Sequence, residues 1–435
     1  MVPALRTYGL LLLSGAMAVM LWLLFSPTLG VGGLLLFNLL VGGVALWDHR
    51  RLRSRRVQVL RQVAHRLSIG RDNPVTLTLI TGDGPATLQV WDAYPLAFSG
   101  TAMPLQVQLP PQTQQDLTYT VHPTQRGTYD WKYVQVRQLS PWKLSWHDWR
   151  LPLAETVAVY PDLLGLRSLT IRLTLESSGN IRRARRLGIG TEFAELREYG
   201  VGDDPRFIDW KATARRGVPL VRVLEPEQEQ TLMILLDRGR LMTAQVKGLA
   251  RFDWGLNATL SLALAGLHRG DRVGVGVFDR QIHTWIAPQR GQAHLNTLIE
   301  QLTPIEPKLL EPDYLGAVTT LANQQTRRAL VVVITDIVDA TASVELLAAL
   351  GRLTPRYLPF CVTLRDPQVD VQAHRLTQDI PSSYARAVAL DLLAQRQVAF
   401  ASLQQQGVLV LDAPANQVST SLVDRYLQIK AKHQL

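Results

Sequence analysis

Residues 231–242 read TLMILLDRGRLM. From Leu232 to Leu236 every side chain is apolar, and the run stops on Asp237. A strand with one wet face alternates polar and apolar residues, so an unbroken apolar run of this length predicts a strand covered on both sides. The pattern returns in ALVVVITD (329–336), which ends on Asp336, and again in YLPFCVTL (357–364) and VLVLD (408–412). Helical periods lie between these runs. Leu256, Leu260, Leu264 and Leu267 recur every three to four residues, and further helical stretches are expected near 294–301, 314–323, 343–353, 384–404 and 417–429. RVGVGVFD (272–279) and IHTWIA (282–287) read as a hairpin. Strands alternating with helices predict a parallel, doubly wound α/β domain over 231–435. Ligands of such folds sit at the carboxyl ends of strands, near a switch in strand order, where Asp237 and Asp336 would lie.

Upstream the composition changes sharply. No charged residue occurs between Arg6 and Asp48, and two apolar runs, about 8–25 and 29–47, are broken at Ser26-Pro27-Thr28. Each approaches the roughly 20 residues that a membrane-crossing helix requires, so 1–48 is read as a transmembrane hairpin. A cleaved signal peptide is the weaker reading of the first run, because a second span follows at once and Ser26-Pro27-Thr28 makes a poor cleavage site. The next segment, 49–68, carries Arg50, Arg51, Arg53, Arg55, Arg56, Arg61 and Arg66, and the turn between the spans is uncharged. Retention of positive charge on the inner side predicts that both ends, and the soluble domains, face the cytoplasm. This cluster supplies much of the net charge of +10, so membrane lipid, not nucleic acid, is its expected partner.

Residues 69–162 hold short alternating runs (VTLTLI, ATLQVW, LQVQL, LTYTV, YVQVRQL, TVAVY) rich in Val, Thr, Tyr and Trp. They predict a small antiparallel β-sandwich, with Trp131, Trp142, Trp146 and Trp149 in its core or at its rim. Residues 163–230 are read as a linker followed by a charged motif, GTEFAELREYGVGDDPRFIDWKATARRG (190–217). In the motif acids alternate with bases closely enough to form ion pairs, so a self-satisfied network is favoured over a carboxylate active site. The alternative is a Mg²⁺-dependent hydrolase using Asp203, Asp204 and Asp237.

Several chemistries have no foothold. The chain contains no G-x-x-x-x-G-K-[ST] for nucleotide phosphates, no H-E-x-x-H for zinc and no G-x-S-x-G nucleophile elbow. Gly274-Val275-Gly276 lacks the third glycine of a dinucleotide loop. Cys361 is the sole cysteine, which rules out an intrachain disulfide, and its apolar setting predicts a buried strand residue. No complete catalytic motif is found, and no enzyme is expected.

The segment EFAELREYGVGDDPRFIDWKATARRGVPLVRVLEPEQEQTLMILLDRGRLM (192–242), continued by RRALVVVITDIVD and RYLPFCVTLRDP, resembles the bacterial "domain of unknown function 58" family. The two spans and the PTQRGTY (123–129) of the sandwich match that family's layout, so the resemblance covers almost the whole chain. It implies a C-terminal von Willebrand factor A-like domain and a place in the bacterial inner membrane. It also implies a partner, a MoxR-type AAA+ ATPase, for which the chain would serve as a non-enzymatic adaptor. The motif residues expected to contact that partner are Arg197, Tyr199, Asp203, Asp204, Arg206, Asp209, Trp210, Lys211 and Arg215. A-type domains often hold Mg²⁺ through D-x-S-x-S and a later aspartate, which here fall on Asp237–Leu241 and Asp336. Gly239 and Leu241 stand where the serines should be and bring no side-chain oxygen to an ion that demands octahedral oxygen ligands. At best a degenerate site at Asp237 and Asp336 is expected, with Asp237 free to pair with a neighbouring arginine. A metal-mediated adhesion module is the remaining alternative.

Overall fold

The chain divides after Tyr160 into two units, Met1–Tyr160 and Pro161–Leu435. The structure, a computed structural model, describes residues 2–24, 26–53, 56–187, 192–225, 230–338, 343–376 and 379–432.

In the first unit the uncharged sequence forms two helices, Leu5–Leu24 and Pro27–Arg53. Both are long and apolar enough to cross a membrane. Leu12, Leu23, Leu36 and Leu39 point outward from them, the solvation expected of lipid and not of water. The second helix runs past the expected limit at 47, because arginine is a good helix former and Arg50 and Arg51 simply continue it.

Three sheets follow. The first has five strands and includes Val2–Pro3, which pairs antiparallel with Ser145–Leu151 by setting Val2 opposite Trp146. The second has four strands, among them Asn73–Ile80 and Gln114–Pro123, and the third has three. The inward positions carry Val75, Leu77, Val90, Val134 and Val136, all fully buried.

The sandwich departs from expectation in two ways. One pairing is parallel, Arg66–Ser68 with Glu155–Tyr160, so the sandwich is not wholly antiparallel. It also begins at Gln58 instead of 69, because Gln58–Gln62 is already paired to Asn73–Ile80. That pairing takes Arg61 away from any headgroup. Its guanidinium donates to Asp92 Oδ1 at 2.9 Å and lies over the Trp131 ring, while Tyr119 donates to Asp92 Oδ2 at 2.7 Å. Trp131 is fully buried, in the core, whereas Trp142 is exposed and stands against Trp47 of the second helix.

In the second unit, six strands form one sheet: β1 (Thr231–Asp237), β2 (Arg272–Phe278), β3 (Ile282–Gln289), β4 (Leu330–Thr335), β5 (Leu358–Arg365) and β6 (Leu409–Pro414). Their order is β3-β2-β1-β4-β5-β6. All neighbours are parallel except β3, the antiparallel edge paired to β2, so the sheet is mixed. Both faces are covered, as the apolar runs require. Met233, Leu235, Val331 and Val333 pack with Leu321, Leu346, Leu350 and Phe400 of helices on one face. Helix Arg251–His268 approaches Leu232 and Leu236 on the other. Cys361 is buried in β5, and that burial pushes its thiol up to about 12.

The segment expected to be a linker is helical over Leu163–Leu187. Ser177-Ser178-Gly179 does not break it, although these residues carry low helix propensity. Leu166 and Leu173 are buried on it, and Arg172 pairs with Asp424 of the last helix, Val418–Ala431. Tertiary packing of one face therefore overrides local propensity.

Candidate functional site

Chain order runs outward from β1 in both directions, to β2 and β3 on one side and to β4, β5 and β6 on the other. The switch in strand order therefore lies between β1 and β4, at whose carboxyl ends Asp237 and Asp336 sit. Both are buried. Each is fully engaged, but with different partners.

Asp237 keeps company with dipoles. Its Oδ1 accepts the Gly239 N–H at 2.6 Å, and its Oδ2 accepts the Thr335 hydroxyl at 2.6 Å and the Tyr314 hydroxyl at 3.0 Å. Burial pushes this carboxyl up to about 6, against the pull of those three donors. The expected arginine pairing does not form. Arg238 turns to Asp279 at 2.9 Å and Arg240 to Glu311 at 2.9 Å. The loop ahead of helix Tyr314–Gln324 closes over the strand end: Arg240 N–H donates to Leu310 O, and Lys308 N–H to Arg238 O. Gly239 is needed there, since a Cβ would come within 2.8 Å of Leu310 O.

Asp336 is the acid that takes arginines. Arg251 Nη1 lies 2.9 Å from its Oδ2, and Arg396 Nη1 2.9 Å from its Oδ1. Arg396 also reaches Asp412 Oδ1 at 2.7 Å, and Asp412 Oδ2 meets Arg365 at 2.8 Å. Arg365 in turn pairs with Asp370 at 3.1 Å. Charges of alternating sign thus run along the carboxyl edge of β4, β5 and β6. Its inner members, Asp336, Arg396 and Asp412, are tolerable away from water because each carboxylate has a guanidinium, while Arg365 and Asp370 reach partly into solvent. Pattern and spacing in the sequence do not single out Arg251, Arg396, Tyr314 or Thr335. Thr335 alone carries a local signal, its place immediately before Asp336.

The charged motif forms a separate hairpin. Strand Glu192–Glu198 pairs antiparallel with Leu220–Glu225, with Glu198 opposite Leu220. The connection between them folds by capping. Asp204 accepts the Arg206 N–H at the start of a 3₁₀ turn, Pro205–Phe207. Asp209 accepts the N–H groups of Lys211 and Ala212 at the start of helix Trp210–Arg216. Gly217, at φ 71°, closes that helix in the left-handed region.

Side-chain pairs complete the network. Arg197 grips Asp203 with two nitrogens, at 2.8 and 2.5 Å, and Asp203 O accepts the Tyr199 hydroxyl at 3.1 Å. Arg206 pairs with Asp204 at 2.7 Å and Arg222 with Asp209 at 2.9 Å. The partners of Asp203 and Asp209 lie six and thirteen residues away, beyond the local neighbours that the sequence suggested. Hydrogen bonds from Arg197 and Arg206 hold Asp203 and Asp204 below the usual carboxylate range. The Ala212 N–H, then Arg222, does the same for Asp209.

Exposed on the hairpin are apolar and charged side chains, among them Glu195 and Glu198 on its first strand. Trp210 is 71% exposed, Phe207 and Val201 are also exposed, and Lys211, Arg215 and Arg216 have no acidic partner among the described residues. No contact among the described residues joins Asp203 or Asp204 to Asp237, and no group of three or more His, Cys, Asp or Glu side chains there could hold a metal ion.

Residues 195–371 match the family model described as "Protein of unknown function DUF58". This segment belongs to the DUF58 family. The DUF58 match takes in most of the hairpin, Asp237, Arg251 and Asp336, while Arg396 and Asp412 lie beyond it. Uncharacterized proteins of Mycobacterium bovis and Mycobacterium tuberculosis are 24% identical over 210 residues. That match spans 47% of this chain and 65% of the relatives' own length. Among solved structures, an aerotolerance-related membrane protein of Bacteroides fragilis and the conserved hypothetical protein BatB of Bacteroides thetaiotaomicron are each 14% identical. Each covers 47% of this chain and 99% of its own, at a TM-score of 0.31.

Proposed function

We propose that this chain is a membrane-tethered adaptor, without catalytic turnover, whose DUF58 hairpin docks a AAA+ ATPase of the MoxR type. The observation that carries the reading is the division of labour in the hairpin. Asp203, Asp204 and Asp209 are consumed by caps and ion pairs, while Trp210, Phe207, Lys211, Arg215 and Arg216 are presented to solvent. An exposed tryptophan amid cations that lack an acidic partner among the described residues suits recognition of a partner surface with acidic groups, because charge selects the partner and the ring supplies contact area. The hydrolase reading loses its residues, since Asp203 and Asp204 are held within the hairpin and Asp237 is shut under the 308–312 loop.

The larger unit is read as a von Willebrand factor A-like domain. Its strand order, its antiparallel edge β3 and the acids at the ends of β1 and β4 support this. The paired helices are read as a membrane hairpin with both ends in the bacterial cytoplasm. Val2–Pro3 pairs with a strand of the sandwich, which requires the chain before the first helix and after the second to share one side.

Full-length protein in detergent is expected to retain the ATPase on an affinity matrix. Reversing Lys211, Arg215 and Arg216 to glutamate should weaken retention at least tenfold while the circular dichroism stays unchanged. Undiminished retention would remove the hairpin as the docking surface, and no retention by the parent would remove the partner. Protease accessibility in intact cells and spheroplasts checks the orientation.

A further inference from the structure

An A-type domain with a metal-ion site holds its dication at the carboxyl ends of the strands that here are β1 and β4. The role assigned to this crevice therefore rests on the A-type fold and is independent of docking. The residues present do not fit such an ion. Two positions that should bring hydroxyl oxygens carry Gly239 and Leu241. Position 239 has no room for a side chain, because Leu310 O and Pro312 Cδ occupy the space a Cβ would need. The oxygens of Asp237 already accept one N–H and two O–H groups. Both oxygens of Asp336 face guanidinium nitrogens.

We infer that Arg251 and Arg396 serve as built-in counter-ions of this crevice, in the place where a dication would otherwise sit, so that the domain reaches its working conformation without metal. The charges support this directly. Asp336 brings one negative charge and meets two fixed positive ones, Arg251 and Arg396, the second shared with Asp412, while Asp237 is held by an amide and two hydroxyls. The remaining members of the chain of pairs, Asp412, Arg365 and Asp370, pair among themselves and with Arg396. A dication entering here would meet guanidinium groups whose charge it cannot displace by deprotonation. Of the two arginines, Arg251 comes from the first turn of helix Arg251–His268 and Arg396 from the middle of helix Ile380–Gln405. The counter-ions therefore also tie two helices to one strand end, which a small ion would do only through its ligands.

The test uses full-length protein in detergent, with Mg²⁺ and Mn²⁺ alone as probes. Thermal unfolding with either ion at millimolar concentration, or with EDTA, should leave the Tm unchanged. Titration followed by Mn²⁺ resonance should show no saturable site that depends on Asp237. Uptake of one Mn²⁺ that is lost in Asp237→Asn would overturn the inference, whereas uptake that survives that substitution lies elsewhere and leaves it standing. The counter-ion role has its own arm. Arg251→Gln should lower the Tm by roughly 5 °C or more, and Arg251→Lys, which keeps the charge, should recover at least half of that loss. If Lys and Gln were equally damaging, or Gln harmless, charge at this position would not be what matters and the inference would fall. Failure of ATPase docking in the separate retention assay touches none of these readouts.

Discussion

The switch-point crevice and the charged hairpin use the same chemical pair, aspartate with arginine, in opposite surroundings. In the crevice Asp336, Arg396 and Arg251 are almost wholly removed from water. In the hairpin the Arg206 side chain is 85% exposed while it pairs with Asp204. Burial makes each crevice charge depend on its partner, because a lone charge in a dry interior has no solvent to turn to. Exposure makes each hairpin pair nearly optional for folding, since water screens it and substitutes for it. Equal geometry therefore does not mean equal purpose. The crevice pairs hold the fold together, and the hairpin pairs arrange a surface.

Arg396 tests that contrast most severely. Replacing it with Met would strip both Asp336 and Asp412 of a buried guanidinium. A loss of about 3–5 kcal/mol is expected in urea unfolding followed by tryptophan fluorescence. Tyr314→Phe removes one of the three donors to Asp237 and should cost about 1–2 kcal/mol in the same assay. A small or absent effect in either case would mean that the crevice is wetter than its burial implies.

The pH response separates the regions further. Asp237 titrates near 6 when folded and has an ordinary value of 3.8. The folded chain thus binds the extra proton between those values, and that contribution to stability is lost as pH rises through about 6. The Tm gap between Asp237→Asn and the parent should accordingly narrow from pH 5 to pH 7. Asp203, Asp204 and Asp209 are shifted downward instead, so their contribution is present above 3.8 and disappears only as pH falls below it. No change from them is expected over the same window. The smallest effect belongs to Asp203→Asn, which should leave the global Tm where it is. It should only speed amide exchange at Gly200, whose N–H the carboxylate accepts.

How much of this could be read in advance depended on how far apart the partners lie. The strands were legible because LMILLD and ALVVVITD are unbroken apolar runs, and Asp237 and Asp336 were legible because each ends one. Their partners were not. Arg396 reaches Asp336 across sixty residues, and Tyr314 reaches Asp237 across seventy-seven. Nothing local to either acid names them. Arg61 misled for the opposite reason: it stands in an arginine-rich segment, but a single strand register turns it onto Asp92. The helix Leu163–Leu187 was hidden behind Ser177-Ser178-Gly179, since a buried face elsewhere in the helix outweighs three poor helix formers.

The short strand Val2–Pro3 has a consequence for how the protein is made. It pairs with Ser145 and Trp146, and Ala4 N–H donates to Leu144 O. Made in chain order, Val2–Pro3 and the helices Leu5–Leu24 and Pro27–Arg53 precede that partner strand. Until Ser145–Leu151 is made, Val2–Pro3 has no strand to pair with, and that edge of the five-stranded sheet stays open. That edge therefore closes only after about 140 residues of intervening chain exist, which ties the two ends of the first unit together across almost its whole length.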